Sequence, residues 1–274
     1  DKQLPVIFEG SKYADRMPIG KMEIVENFPY QTLRDYYHTW YRPDLQGIVI
    51  VGDINVDEVE AKIKAMWSDI PKPVNPAERV YFPVPDNDKP IVSVITDPEA
   101  VRTQVTLYIK HDVIPAETKQ TQEGLIISFI KSLASNMLSD RLEEISQKGD
   151  APFAASYAYD GEFFVSKTKD AWTTIALSKE GKVDETLASL IRENERIKRF
   201  GYTDAEVERA KATLLEQYEN MYNNRNKELN NRYVQEYVRS FTGDEGIPGI
   251  EYEYDFVKKF APFINAQAIN AVVK

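Results

Sequence analysis

The residues most able to do chemistry in this chain are its two histidines, His38 and His111. A catalytic zinc ion needs three protein ligands, and an H-x-x-E-H helix supplies two of them. His38 has the cation Arg42 four residues later, and His111 is followed by Asp112 without a third ligand nearby. We therefore predict that the chain holds no catalytic metal, and that both histidines pack or hydrogen-bond locally.

Three neighbouring carboxylates, Asp140, Glu143 and Glu144, suggest at first sight the acid–base pair of a glycosidase. Such a pair holds its carboxyl groups about 5 to 10 Å apart across the scissile bond. Adjacent residues of a helix point about 100° away from each other, so these side chains do not converge on one substrate. A solvated helix face is the preferred interpretation.

Tyrosines at helical spacing form the third candidate group. Tyr218, Tyr222, Tyr233 and Tyr237 are separated by several asparagines, and together they could line a peptide-binding cleft. Tyrosines also border cores, where the ring is buried and the hydroxyl reaches water. The spacing alone leaves both alternatives open, and Tyr218 and Tyr222 are kept as candidates for substrate binding.

The composition excludes several function classes. With 274 residues, of which 42% are hydrophobic and 28% charged, the chain can build one large or two moderate domains. Its formal charge of −10 disfavours a nucleic-acid surface, because phosphate binding depends on clustered Lys and Arg. The absence of cysteine excludes disulfides, thiolate zinc sites and cysteine nucleophiles.

The sequence also bears on location. No apolar run approaches the roughly 18 residues that span a bilayer, so we expect no membrane segment. Residues 1–20 lack the basic start and apolar block of a signal peptide. Because a cut upstream would remove such a peptide, the bacterial periplasm and the cytoplasm both stay open.

The elements that must position these side chains begin with a helix–strand–helix unit. Residues 29–42 carry apolar side chains at helical spacing. Ile48–Val51 is a continuous apolar run, as expected of a buried strand. Asn55, with Glu58 three residues later, has the character of a capping box and predicts that a second helix begins there.

A proline-rich stretch separates this unit from the rest of the chain. Residues 71–90 carry six prolines among charged residues, which is typical of a semi-rigid linker. We place the domain boundary there. Residues 1–70 are then the C-terminal part of a first domain, and residues 91–274 form a second domain.

Strands and helices are segregated in the second predicted domain. Val105, Leu107 and Ile109 alternate with polar residues and predict a strand over 104–110. The other predicted strands are 91–96, 153–159, 162–167 and 171–178. The predicted helices are 117–148 (one or two), 183–200, 203–221 and 229–241, with two more after a break at 243–249. This order predicts an α+β fold, an antiparallel sheet covered by helices on one side.

A faint internal repeat links the two predicted domains. Residues 29–36 and 262–269 share a Pro-aromatic start and the same helical phase. The first copy leads into Ile48–Val51, whereas the second copy has no such tail before the sequence ends. We hypothesise that residues 23–70 dock on the sheet of the second domain, within one chain or swapped between the two chains of a homodimer.

Several segments, in their order along the chain, resemble the pitrilysin/insulinase family of zinc metallopeptidases, the inverzincins. The chain reads SKYADRMPIG at 11–20, YRPD at 41–44 and IVIVGD at 48–53, which are similar to the end of the family's catalytic domain. It reads RTQV at 102–105, MLSDRL at 137–142 and GYTDAEV at 201–207, which resemble the structurally similar domain that follows. The resemblance implies that the chain covers the end of the first domain and most of the second.

In this family the zinc lies on the H-x-x-E-H helix of the first domain, and a domain of the second type contributes an Arg and a Tyr to the substrate carbonyl and oxyanion. The resemblance aligns Ser146 with that Arg and Phe153 with that Tyr, and neither supplies the needed donor. Arg141 is a lesser candidate. The resemblance thus implies no catalytic and no metal-binding residue here, and the weak candidates for substrate binding are Arg141, Tyr218 and Tyr222.

The sequence therefore indicates a non-catalytic segment of a zinc metalloendopeptidase that hydrolyses peptides, contributing to the substrate chamber and to domain packing. Zinc is expected in the parent protein but not in this chain, which is predicted to be inactive alone. The expected partners are the catalytic portion of the same polypeptide and, through it, peptide substrates. One alternative is a structural or binding subunit of a peptidase-like complex that never carried zinc, and a weaker one is an unrelated α+β binding module.

Overall fold

The structure is a computed structural model that describes residues 2–16 and 18–273. Asp1, Met17 and Lys274, which belong to the predicted domains 1–70 and 91–274, lie outside the described residues. The strands are β1 (Thr103–Asp112), β2 (Phe153–Glu162) and β3 (Lys169–Ser178). The helices are α1 (Leu4–Ile7), α2 (Met22–Asn27), α3 (Tyr30–Trp40), α4 (Val56–Trp67), α5 (Ala116–Lys119), α6 (Gln122–Ser146), α7 (Val183–Phe200), α8 (Asp204–Asn224), α9 (Asn230–Gly243), α10 (Ile250–Phe260) and α11 (Ala266–Val273).

The predicted helices are confirmed, and side-chain caps explain where several of them begin. Thr203 and Glu206 form a full capping box at the start of α8. The Asn55 side chain caps α4 in the predicted way. The predicted helical region 117–148 divides into α5 and α6, because Thr121 leaves the helical conformation and caps α6.

The sheet contains three antiparallel strands in the order β1-β3-β2, so β1 and β2 are its edges. Leu107 of β1 and Ala158 of β2 both lie opposite Thr174 of β3, which places them on one face. Ala158 and Ala176 of this face join the core formed with α6, α7 and α8. We call it the helix face. The predicted sheet with helices on one side is confirmed.

The 25-residue helix α6 lies at the centre of the core. Leu133, Leu138 and Leu142 on α6 are completely buried, as are Leu190 on α7 and Val207 on α8. Burial of each such side chain stabilises the fold by about 1.5–3 kcal/mol. The position of α6 against the sheet is therefore set by packing over most of the helix length.

A second, smaller cluster lies on the opposite face of the sheet. Phe8 and Val84 pack there against Phe163 and Ala171, and all four side chains are buried. Tyr108 of β1 borders the same cluster. Residues far apart in the sequence thus cover part of the outer face of the sheet.

The end of the predicted linker is bound to the sheet. The backbone N–H of Val84 donates to Thr168 Oγ1 at 3.2 Å. Lys169 Nζ lies 2.8 Å from a carboxylate oxygen of Asp86. We call residues 82–86 the sheet strap, and these contacts hold the strap against β3.

Two predicted strands of the second domain are wrong. Apart from Glu162, which ends β2, residues 162–167 form the turn from β2 to β3, in which Phe164 has a positive φ of 56°. Ser166 Oγ accepts hydrogen bonds from the backbone N–H groups of Thr168 and Lys169 and stabilises this turn. Residues 91–96 join no ladder in the described part of the chain, where the sheet consists of β1, β2 and β3.

The predicted strand Ile48–Val51 is also wrong for this chain. The segment is not part of the sheet, and Ile48 and Ile50 are 52% and 49% exposed. The neighbouring Gly47 lies against the ring of Phe241 on α9, where an added Cβ would come within 3.1 Å of the ring. The segment thus lies beside α9 and not at an edge of the sheet. Docking on the sheet within one chain is therefore excluded, and the swapped form stays a prediction.

Candidate functional site

The described residues contain no group of three or more His, Asp or Glu side chains arranged to hold a metal ion. His38 is exposed on α3, with its ring edge-on to Tyr37 at a centroid distance of 5.8 Å. His111 has one carboxylate partner, Asp160, whose other oxygen is bound by Lys131. These residues do not fit a zinc ion, because no third ligand lies beside them and the Asp160 carboxylate is already bound by the Lys131 ammonium group.

Polar side chains meet around His111 on the helix face. His111 Nε2 lies 2.8 Å from Asp160 Oδ2, and Lys131 Nζ donates to Asp160 Oδ1 at 2.6 Å. Asp170 lies directly opposite His111 in the pairing of β1 with β3. We call these four residues the His111 cluster. It joins all three strands to α6.

Burial and charge pairing shift the pKa values of the His111 cluster in opposite directions. Burial alone would raise the pKa of Asp160, but the hydrogen bonds from His111 and Lys131 outweigh it, so the pKa lies below its ordinary value. The same hydrogen bond to Asp160 raises the pKa of His111 against the effect of desolvation. Burial raises the pKa of Asp170, and the charges of Lys131 and His111 partly offset it. Asp160 is therefore the ionised centre of the cluster.

A cleft of about 1330 Å³ lies beside the His111 cluster. It is bounded by α6, by the adjoining ends of β2 and β3, and by the connection from α9 to α10. Its volume exceeds the roughly 300–1,000 Å³ of ordinary small-molecule pockets. Polar side chains that line it include Ser128, Ser132, Asn136, Asp160, Asp170 and Gln217.

The candidate Arg141 is buried at the junction of α6 with the α7–α8 connection. Its Nε and Nη2 donate to the two carboxylate oxygens of Glu206 at 2.5 and 3.0 Å, and Nη2 also donates to the Gly201 carbonyl at 3.1 Å. The guanidinium lies 4.8 Å from the ring centre of Tyr202. Against the effect of burial, the bonds from Arg141 and Thr203 lower the pKa of Glu206 to about 2. Arg141 thus already donates three hydrogen bonds to acceptors within the protein.

The candidates Tyr218 and Tyr222 lie where α8 meets α10. The Tyr222 ring stacks on Tyr254 with centroids 5.1 Å apart, and Arg225 lies 4.1 Å from the Tyr222 ring centre. Tyr218 packs at the border of the core, and burial raises its pKa to about 12. The two side chains therefore make contacts typical of a core border. Substrate binding by either tyrosine stays a prediction.

Comparison with known proteins identifies the relationship. Residues 27–214, more than half of the chain, match the family model described as the peptidase M16 inactive domain. The chain belongs to the peptidase M16 family. The resemblance to pitrilysin/insulinase zinc peptidases is thereby confirmed.

Relatives of this M16 domain include proteins named as zinc proteases. It is 26% identical over 272 residues to a zinc protease PQQL-like protein of Arabidopsis thaliana, covering 98% of this chain and 25% of the relative. It is 27% identical over 150 residues to a probable zinc protease PqqL of Haemophilus influenzae, covering 54% of this chain and 16% of the relative. The chain thus spans a quarter or less of the curated relatives it matches.

Solved structures share the fold of this M16 domain. The first half of the periplasmic protease PqqL from Escherichia coli has a TM-score of 0.84 at 20% identity, over 99% of this chain and 57% of that one. A protease from Helicobacter pylori has a TM-score of 0.72 at 14% identity, over 99% of this chain and 62% of that one. At these identities the likeness shows the α+β fold alone. None of the described helices is both long and apolar enough to cross a membrane.

The residues that align with the family's Arg and Tyr have structural contacts in this M16 domain. Ser146 ends α6, and its hydroxyl donates to the Glu143 carbonyl at 2.8 Å. Phe153 begins β2 and is completely buried in the core. The carboxylates of Asp140, Glu143 and Glu144 belong to exposed residues of α6, as predicted for a solvated helix face.

Sequence reasoning missed Lys131, Asp160 and Asp170, which surround His111. Alternation within the strands was an available signal, because Asp160 follows Ala158 by two residues and so shares its face. The pairing of Asp160 with Lys131, 29 residues earlier, had no signal in the sequence. A single-sequence pattern does not show which helix lies over which strand.

Proposed function

We propose that the chain is a non-catalytic segment of a zinc metalloendopeptidase that hydrolyses peptides, where it contributes to the substrate chamber and to domain packing. The match to the M16 inactive domain supports this most directly. The relatives named as zinc proteases are several times longer than this chain, which leaves room for a catalytic portion elsewhere in such a polypeptide. Zinc is then a cofactor of the parent protein, held outside the residues described.

Exposed apolar side chains support the role in domain packing. Neither α3 nor α4 has a buried residue, although both carry large apolar side chains. A surface of this kind marks contact with further protein. The large apolar residues of α3 and α4 that are more than 40% exposed are Tyr30, Leu33, Tyr36, Tyr37, Val56, Met66 and Trp67. The proposed partner is the remaining part of the first domain in the same polypeptide, and a homodimer is the competing arrangement.

The domain division is part of this proposal. Residues 1–70 are assigned to the first domain, 71–90 to the linker, and 91–274 to the second domain. The sheet strap and the contact of Phe8 with the sheet connect the linker and the first segment to the second domain. The compartment, periplasm or cytoplasm, stays open.

The alternative is a structural or binding subunit that never carried zinc. The two functions differ in what the full open reading frame around this chain encodes. The peptidase proposal expects an H-x-x-E-H helix there, about one zinc ion per full-length protein, and cleavage of a quenched-fluorescence peptide. A full-length protein without zinc and without cleavage supports the alternative.

The isolated 274-residue chain provides the second arm of the experiment. We expect no stoichiometric zinc after dialysis and no peptide cleavage, because two histidines and no cysteine do not complete a three-ligand site. One tightly held zinc ion per isolated chain would contradict the proposed function.

A further inference from the structure

Both ring nitrogens of His111 face hydrogen-bond acceptors. Nδ1 lies 2.9 Å from the Asp112 carbonyl oxygen, and Nε2 lies 2.8 Å from Asp160 Oδ2. A neutral imidazole carries one N–H group and can donate to one of the two, whereas an imidazolium donates to both. A neutral ring would turn a lone pair toward an oxygen on one side. The geometry is therefore satisfied in full only by the protonated ring.

The charges around His111 balance in the protonated state. On β2, Asp160 accepts from His111 and from Lys131 of α6, and its side chain is 7% exposed. On β3, Asp170 lies opposite His111, and the charge of Lys119 on α5 also acts to lower the pKa of Asp170. Within the His111 cluster, two carboxylates then meet two cations. Loss of the imidazole proton leaves one uncompensated negative charge beside a buried carboxylate.

The charged His111 ring links the ends of two strands. His111 is the penultimate residue of β1, whereas Asp160 lies near the end of β2, and β3 runs between them. The bond from His111 to Asp160 therefore ties the two edge strands together across the central strand. The chain continues from β1 toward α5, and Ile114 of this connection lines the cleft.

We propose that His111 is a proton-controlled clasp: the protonated ring bonds both Asp160 and the Asp112 carbonyl, and loss of the proton releases one of these two bonds and loosens the end of β1. The raised pKa of His111 places the release above the ordinary value of about 6.5. Because the folded state binds this proton more tightly than the unfolded chain does, the contribution to stability is complete below about pH 6.5. It is lost as the pH rises through the folded value.

NMR titration of the 15N-labelled 274-residue chain between pH 5 and 10 tests the protonation state. We expect a titration midpoint above 6.5, and long-range 1H–15N spectra that show His111 with both nitrogens protonated below that midpoint. His38→Gln assigns the spectrum, because His111 is then the only histidine. A titration midpoint at or below 6.5, or a single neutral tautomer of His111 at pH 6, overturns the proposal.

Amide hydrogen exchange tests the release. We expect the protection factors of residues 109–112 to fall about tenfold or more as the pH rises through the His111 midpoint, relative to those of β3 residues 173–176. In Asp160→Asn, which keeps the side-chain shape and removes the charge, the midpoint should fall. Equal pH dependence of the two strands in the wild-type chain contradicts the clasp, and this comparison needs no variant to fold.

Discussion

Gly201 ends α7 in a conformation that other residues rarely adopt. Its φ is 73° and its ψ is −157°, a region that is almost restricted to glycine. A Cβ added there would lie 2.3 Å from Cγ and Oδ1 of Asn270 on α11. Asn270 holds the next residue by two hydrogen bonds, since Oδ1 accepts from the Tyr202 N–H at 2.7 Å and Nδ2 donates to its carbonyl at 3.0 Å. We predict that Gly201→Ala breaks this contact as well as straining the backbone.

The expected loss of stability is the sum of the backbone strain and of the hydrogen bonds lost. The backbone strain costs about 1–3 kcal/mol. Displacing Asn270 leaves two backbone groups of the buried Tyr202 without partners, at about 1–3 kcal/mol each. Gly201→Ala should therefore lower the free energy of unfolding by about 3 kcal/mol or more. Asn270→Ala should lower it by about 2 kcal/mol or more, because it removes the same two hydrogen bonds without the strain.

The assay is denaturant unfolding of the two single variants and the double variant, followed by circular dichroism. In the double variant the added methyl group no longer meets Asn270, and the hydrogen bonds are lost only once. We expect it to be about as stable as Gly201→Ala alone, with a coupling of about 2 kcal/mol. Gly181→Ala is the matched control, since Gly181 has a φ of 70° with no atom near the added Cβ, and should cost about 1–2 kcal/mol. Additive effects in the double variant would refute the reasoning.

Three further predictions concern stability and pH. Phe153→Ala should lower the free energy of unfolding by about 3–5 kcal/mol because the ring is completely buried. Phe153→Leu should cost less, because it leaves a smaller cavity. A fall in kcat of the full-length protein by more than about a hundredfold with an intact fold would instead indicate a catalytic role. Glu206 has a pKa lowered from 4.5 to about 2, so its contribution is complete above about pH 4.5 and is lost as the pH falls toward 2. Glu206→Gln should remove this acid dependence and cost about 2 kcal/mol at pH 7, since it leaves buried Arg141 without its carboxylate. As a control, Glu195→Gln breaks an exposed ion pair and should change stability by less than about 1 kcal/mol. Equal acid unfolding curves for the wild type and Glu206→Gln would count against this account. Phe8→Ala should free residues 4–14 from the sheet and speed their limited proteolysis, because the Phe8 ring is the fully buried contact of this segment. An unchanged rate of cleavage would show that the sheet strap alone holds the segment.

Local patterns predicted the helices well, because the hydrogen bonds of a helix join residues close in sequence. The capping box at Thr203 and the helical periodicity of residues 183–200 both specify elements without reference to the rest of the chain. The strands were predicted less well. Residues 91–96 and Ile48–Val51 have strand-like composition, but a strand also needs tertiary contacts that bring it against a sheet edge, and neither segment joins the sheet.

The candidate functional residues show the same difference between local contacts, which the sequence indicates, and distant contacts, which it does not. The sequence indicated that Arg141, Tyr218 and Tyr222 could contact a ligand, and the structure places them in an ion pair and at a helix contact instead of together. It indicated a local hydrogen bond for His111, and Nδ1 makes one with the neighbouring Asp112 carbonyl. The partner on the other ring nitrogen, Asp160, lies 49 residues away and could not be inferred.

The sequence by itself indicated most of the helices, the acidic charge and, through the order of its motifs, the resemblance to a peptidase family. Each of these depends on residue types or on spacings within a few turns. Only the tertiary structure decided which face of the sheet the helices cover, and that His111, Asp160 and Lys131 meet beside a cleft. Electrostatic pairing depends on distance through space, and that distance is set by the packing of α6 against β2 rather than by separation along the chain.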